Sequence, residues 1–414
     1  MRRTLLALLV GSGAAWAAAC GADATETVLE PTSDAAAADA VPNDDARSAS
    51  DAGAVTDGPA DDARSDADGA SETDAPHDSS RDGDATVDAC ATLAVPTSVG
   101  GIGVGGSNYV LWSAGDYLTT HDDPTWFGPN GVRPVVGTYH QAPQTIRTQL
   151  AAMRAAGQHK IALMIWYAPL PAGTGTAGVY GHVVDRNGGA LLPQHAQNLK
   201  DLLADIVCAG FEEVQLRFAT QGTADPTTWS AWDEPSYQAS WNFVASTVTL
   251  TRTALTGTGV TLWTDLAVEL GGIDLGQAEP FVKHLWQDYS FTFGTTLTVG
   301  ASFATAPGRF TKAVALFDST GARPAAWAFD IYDGAGSLLD TVAGEIATAN
   351  DTARPIIVQE SYYDDATENA EIRTHAAAKG LTVRTIMQWP NARGSGIPHF
   401  SMDYSPSYAS YLVP

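Results

Sequence analysis

From residue 90 onward one unit recurs: a short apolar run, a loop, then a segment with apolar residues at helical spacing. The runs Val104–Trp112, Lys160–Ala168, Glu213–Thr220, Val260–Glu269, Thr296–Ala304, Ala325–Tyr332, Pro355–Glu360 and Thr382–Trp389 read as strands. Between them, helices are expected over Thr145–Ala156, His195–Ala209, Ser240–Leu255, Pro280–Asp288, Thr311–Ser319, Ser337–Asn350 and Thr367–Lys379. A shorter one is expected over Pro406–Leu412. Leu199, Leu202, Leu203 and Ile206 line one helix face, and Leu338, Leu339, Val342 and Ile346 another. Gly157, Gly210 and Gly380 stand just past helix ends, where a left-handed cap is wanted. Eight strands alternating with helices predict an α/β fold, a single (β/α)8 TIM barrel over 90–414. A doubly wound open sheet is the alternative, but Gly103–Gly106 lacks the spacing of a dinucleotide loop.

Strand parity says what fills the barrel. One parity must be apolar to face the helices; the other points inward. Leu262, Leu266 and Val268 form the outward set of the fourth strand, leaving Trp263, Asp265, Ala267 and Glu269 inside. Val214, Leu216 and Phe218 face out in the third, so Gln215 and Arg217 point in. In the sixth, Trp327, Phe329 and Ile331 face out and Asp330 points in; in the seventh, Ile356, Val358 and Glu360 share a face. Charges inside a barrel must neutralise one another, and Arg217 is expected to pair with Asp265.

Glu269 and Glu360 both fall at C-terminal strand ends, where barrels carry their chemistry, on strands four and seven. Two carboxylates across a cleft suit glycosidic cleavage, one protonating the leaving oxygen while the other attacks carbon or activates water. Thr264-Asp265-Leu266-Ala267-Val268-Glu269 and Ile357-Val358-Gln359-Glu360 resemble two motifs of the retaining (β/α)8 glycoside hydrolases, the cellulase-like barrels. The resemblance implies Glu269 as acid/base and Glu360 as nucleophile, with Trp389, in Gln388-Trp389-Pro390, under the sugar. Val268 departs from it, standing where the family usually carries Asn. Rival acids are Asp265, deeper in the strand, and Glu234, in the aromatic loop Trp229–Tyr237.

Aromatic residues near strand ends add a second line, because sugar rings stack their C–H faces on aromatics. Trp166, Tyr362 and Trp389 are candidate sugar platforms, and Tyr332 is a candidate donor beside Glu360. Phe218 reads as helix-facing packing. His140 and His182 are candidate sugar contacts, with a structural role as the alternative.

The N-terminus changes the domain count. Met1-Arg2-Arg3 is basic, Thr4–Ala15 is apolar but short for a span, and Ala17-Ala18-Ala19-Cys20 ends in cysteine. This resembles a bacterial lipobox and implies a signal peptide over 1–20 with lipidation at Cys20; plain secretion is the alternative. Residues 21–89 carry 19 acidic residues against three arginines and no Phe, Trp or Tyr, so a disordered acidic tether is expected. Cys90 and Cys208 then remain as an even pair, a possible disulfide or two free thiols.

Residues 90–414 carry 28 acidic and 17 basic residues, a net of −11, which argues against nucleic acid and against anionic membrane as partners. Contact with membrane is expected only through the lipid, at the outer membrane or cell surface. The reading is thus an exported glycosidase acting as a monomer on carbohydrate, with no cofactor and no metal. Two alternatives stand: a non-catalytic carbohydrate-binding lipoprotein, and a metal-assisted barrel hydrolase.

Overall fold

The structure is a computed structural model that describes residues 105–112, 133–169, 184–186, 188–332, 334–363 and 365–389. The expected signal peptide, tether, Cys20, Cys90, His182 and the helix over Pro406–Leu412 lie outside the described residues.

The eight expected strands are all present and all pair in parallel. We number them β1 (Gly105–Asn108), β2 (Lys160–Ala168), β3 (Glu213–Thr220), β4 (Thr261–Asp265), β5 (Thr298–Gly300 continuing at Phe303–Ala304), β6 (Trp327–Asp330), β7 (Ile356–Ser361) and β8 (Val383–Gln388). β1 pairs with both β2 and β8. The two halves of β5 pair with β4 on one side and with β6 on the other, so the sheet closes into a barrel. Seven helices follow strands β1 to β7 in turn: α1 (Pro143–Ala155), α2 (Pro193–Ala209), α3 (Glu234–Leu255), α4 (Ala278–Phe293), α5 (Arg309–Ser319), α6 (Ala335–Thr348) and α7 (Ala366–Ala378). None of the described helices is long and apolar enough to cross a membrane.

The apolar spacing does what it predicts. Leu199, Leu202, Leu203 and Ile206 of α2 are buried, each worth about 1.5–3 kcal/mol relative to exposure. Gly210 ends that helix at φ 85°, in the left-handed region where a side chain would be strained. Helix α3 starts six residues before Ser240, because Asp233 accepts the Ser236 N–H at 3.2 Å and Pro235 occupies the first turn.

Outward residues Val214, Leu216, Phe218, Trp327, Phe329 and Ile331 join the core beneath the helices. Inside, Trp263, Val299, Ala326, Ala328 and Ile357 form a separate apolar cluster. Below it, Glu213 accepts from Arg384 Nη1 at 2.8 Å, and the Arg384 guanidinium lies 4.3 Å above the Trp263 ring. The barrel interior is therefore plugged at the N-terminal end and apolar in the middle, leaving charge for the C-terminal mouth.

Three strand details depart from expectation. β4 stops at Asp265, so Glu269 lies in a turn beyond it, with φ 58°. β5 breaks after Gly300, whose Cβ, if it had one, would meet the Phe317 ring at 2.6 Å. In β7, Ile356 and Val358 face the helices while Ile357 points inside. The register shifts between Val358 and Ser361, and Glu360 comes to pair with Asp330. This irregularity, not simple alternation from Ile356, turns Glu360 inward.

Candidate active site

Arg217, inward on β3 and fully buried, organises the barrel mouth. Its Nη1 stands 2.9 Å from Glu360 Oε1 and donates to Asn108 Oδ1 at 2.7 Å. Its Nε reaches Asp265 Oδ2 at 3.5 Å, and Nη2 lies 3.8 Å from Asp330 Oδ1. Burial alone would lower the guanidinium's pKa, but the carboxylates of Glu360, Asp265 and Asp330 reverse the sign and hold it charged. The expected Arg217–Asp265 pair exists, but Glu360 is the closer partner.

Asn108, at the end of β1, locks this arrangement from the other side. Its Nδ2 donates to the Gln359 carbonyl at 2.8 Å and to the Gln388 carbonyl at 3.2 Å. The Gln359 carbonyl, freed from regular pairing by the β7 irregularity, also accepts from Arg217 Nη1 at 3.4 Å. The backbone immediately before Glu360 is thus tied to β1 and β3.

Glu269 is held by a relay through the break in β5. The Ser302 N–H and hydroxyl donate to Asp265 at 3.0 and 2.7 Å. Ser302 Oγ in turn accepts the Glu269 N–H at 3.0 Å. Asp265 is therefore a scaffold acid for the turn that carries Glu269. Burial raises its pKa, opposed by Arg217 and by the donors of Ser302 and Ala267.

The two candidate catalytic carboxyls sit in different surroundings. Glu269 is half-buried; burial first, then the charge of Glu360, raises it to about 7. Glu360 is 6% exposed. Burial raises it too, but the Arg217 guanidinium and the Tyr332 hydroxyl, which donates to Oε2 at 2.9 Å, favour its ionised form. Of the two, Glu360 has the donors and Glu269 the outlook on the mouth.

The aromatic residues are less open than expected. Trp166, Tyr362 and Trp389 are 9%, 5% and 7% exposed, so none is a broad open platform. Trp166 packs edge-on against Trp389 at 5.9 Å, and Tyr332 against Tyr362 at 5.0 Å. Tyr332 alone of the four is half-buried. In each edge-on pair one ring covers a face of the other, which is then closed to a sugar.

Other candidates fall elsewhere. Glu234 is exposed at the start of α3 and accepts from Trp232 Nε1 and Gln238 Nε2 at 2.7 and 2.8 Å, which lower its pKa. It takes no part in the cluster around Arg217. His140 is exposed, bonds Asn198 Oδ1 at 3.1 Å, and lines a groove of about 1290 Å³ among residues of α1, α2 and α3. That groove is on the helical layer, away from the charged mouth. Cys208 also borders it and is disulfide-bonded; both other cysteines lie outside the described residues. Among the described residues no group of three or more His, Cys, Asp or Glu is arranged to hold a metal ion.

Two site residues escaped the sequence reading. Asn108, a polar residue closing a short strand in Gly-Gly-Ser-Asn, gave a signal that parity could have used. Ser302 gave none, because its role depends on where β5 breaks.

No protein-family model and no curated protein sequence matches the chain. Solved structures similar to it include a GH5_18 protein from Streptomyces cattleya in complex with Manb1-4GlcNAc, 13% identical with a TM-score of 0.40, covering 70% of this chain and 71% of that one. A GH113 beta-1,4-mannanase is 11% identical with a TM-score of 0.41, covering 64% and 92%. A beta-mannanase from the blue mussel Mytilus edulis is 12% identical with a TM-score of 0.39, covering 70% and 86%.

Proposed function

We propose that the protein is a glycoside hydrolase that cleaves a poly- or oligosaccharide with retention, using Glu360 as nucleophile and Glu269 as acid/base. One observation carries the reading: two carboxyls at the same barrel mouth, Glu269 half-open and raised to about 7 by burial and the charge of Glu360, Glu360 buried among the donors Arg217 and Tyr332. In the first step Glu360 Oε1 or Oε2 attacks the anomeric carbon as Glu269 gives its proton to the leaving oxygen. In the second, Glu269 takes a proton from water, which attacks the same carbon and releases Glu360. Arg217 and Tyr332 hold the Glu360 anion in place before it attacks, and receive it again when water releases it. Retention requires the two carboxyl groups to stand about 5–5.5 Å apart, whereas inversion leaves roughly 6.5–9.5 Å for a water.

The decisive experiment is product stereochemistry on aryl glycosides, followed by proton NMR. Retained anomeric configuration, loss of turnover in Glu360→Ala, and azide rescue with inverted product would support the reading. An inverted product from the unmodified protein, or full turnover in Glu360→Ala, would overturn it.

The remaining parts of the proposal concern location and state. The protein is exported, lipidated at Cys20, tethered by 21–89, and acts as a monomer; its sole hold on membrane is the lipid. Labelled fatty acid should enter the native protein and not Cys20→Ala. Limited proteolysis should leave a stable core starting near residue 90.

A further inference from the structure

The mouth contains a carboxyl that the proposed reaction does not use. Asp330 ends β6, paired in register with Glu360, and is 4% exposed. Both of its oxygens are buried, and among the described residues no N–H or O–H group donates to either. The facing cation atom, Arg217 Nη2, is 3.8 Å away and likewise makes no hydrogen bond. An ionised carboxylate in that position lacks water and donors alike, a costly state.

Its other neighbours are acids. Asp265 on β4, Glu269 in the following turn and Glu360 on β7 surround the guanidinium with it, while Tyr332 faces Glu360 and Arg309 faces Glu269. Four carboxylates beside Arg217 cannot all ionise in so dry a site, so a proton must stay. Asp265 has two bonds from Ser302, and Glu360 has Arg217 and Tyr332. Glu269 has the mouth. Asp330 has only Arg217 Nη2, at 3.8 Å, and its contact with the Glu269 carboxyl is a hydrogen bond only when one of the two carries a proton.

We propose that Asp330 is a positioning residue that stays protonated and donates a hydrogen bond to the Glu269 carboxyl, holding it toward the bond to be cleaved. This rests on the assignment of Glu269 as acid/base. No proton leaves Asp330 during the cycle: Glu269 gives its own to the leaving oxygen and recovers one from water. Burial and the charges of Glu360 and Glu269 all raise Asp330 well above the carboxylate range, in keeping with this role. As a donor it also restrains the rise of Glu269.

The test is carboxyl carbon-13 NMR on protein labelled at Asp and Glu side chains, which reads protonation whether or not the protein cleaves sugar. Asp330, assigned by its loss in Asp330→Asn, should show the protonated shift through pH 8. The Glu269 midpoint should move by less than about 0.3 pH unit in Asp330→Asn, whose amide still donates, and rise by roughly one unit in Asp330→Leu. An ionised Asp330 signal at neutral pH, or a Glu269 midpoint that falls by about a unit in Asp330→Asn as a removed negative charge would require, overturns the proposal. Should the unmodified protein lack glycosidase activity while these shifts are seen, the assignment of Glu269 as acid/base falls and the proton on Asp330 stands.

Discussion

Arg217 Nη1 stands 2.9 Å from Glu360 Oε1, closer than the same guanidinium comes to Asp265 or Asp330. A buried cation is thus spent on the carboxylate proposed as nucleophile, while Asp265 is satisfied mainly by Ser302. Within a single mouth one acid lies closest to the cation and Asp330 farthest from it.

Arg217→Leu should destabilise the fold by about 3–5 kcal/mol, because it strands Glu360 and Asp265 without their counter-charge. Urea unfolding checks this. Asp265→Asn should cost less, since its amide can keep part of the Ser302 contact. A larger loss in Asp265→Asn than in Arg217→Leu would contradict the ordering.

Turnover should follow a bell in pH. Glu269 must be protonated to act, so the rate should fall as pH rises through about 7. Glu360 must be ionised, so the rate should also fall toward acid. In Glu269→Ala the descent near pH 7 should vanish, and substrates with good leaving groups should be spared.

Tyr332→Phe removes the donor to Glu360 Oε2 and so favours its neutral form. The acid limb of the profile should move to higher pH, and kcat should drop roughly tenfold or more. An unmoved acid limb would separate Tyr332 from the nucleophile.

Ser302→Ala cuts the link between Asp265 and the Glu269 backbone. A stability loss of about 1 kcal/mol is expected, with a proportionally larger fall in kcat than change in KM. The reason is that Glu269, at φ 58°, relies on that bond to keep an unfavoured backbone conformation.

Stability itself should decline from pH 5 to pH 8. Glu269 and Asp330 are raised in the folded protein, which therefore binds more protons than the unfolded chain. Their contribution is full below the unfolded carboxyl value of about 4 and is lost as pH rises through the folded values. Urea midpoints across this range should slope downward, and Asp330→Asn should flatten the slope.

The sequence by itself determined the barrel and much of its interior. Eight strands and seven helices follow from local periodicity, because each element must bury one face and the spacing of apolar residues records which. Parity likewise identified Arg217, Asp265 and Asp330 as inward, since the strands that carry them are regular up to those residues. The tertiary structure alone decided how the mouth works. Where β4 ends, where β5 breaks and where β7 shifts register depend on neighbouring strands, as the bond between Asn108 and the Gln359 carbonyl, 251 residues apart, illustrates. Those irregularities turn Glu360 inward, place Glu269 in a left-handed turn held by Ser302, and leave Asp330 without a donor. The burial of the aromatic residues was equally hidden: Trp166, Tyr362 and Trp389 are packed. Periodicity reports which face of an element is apolar; it does not report what the opposite face meets.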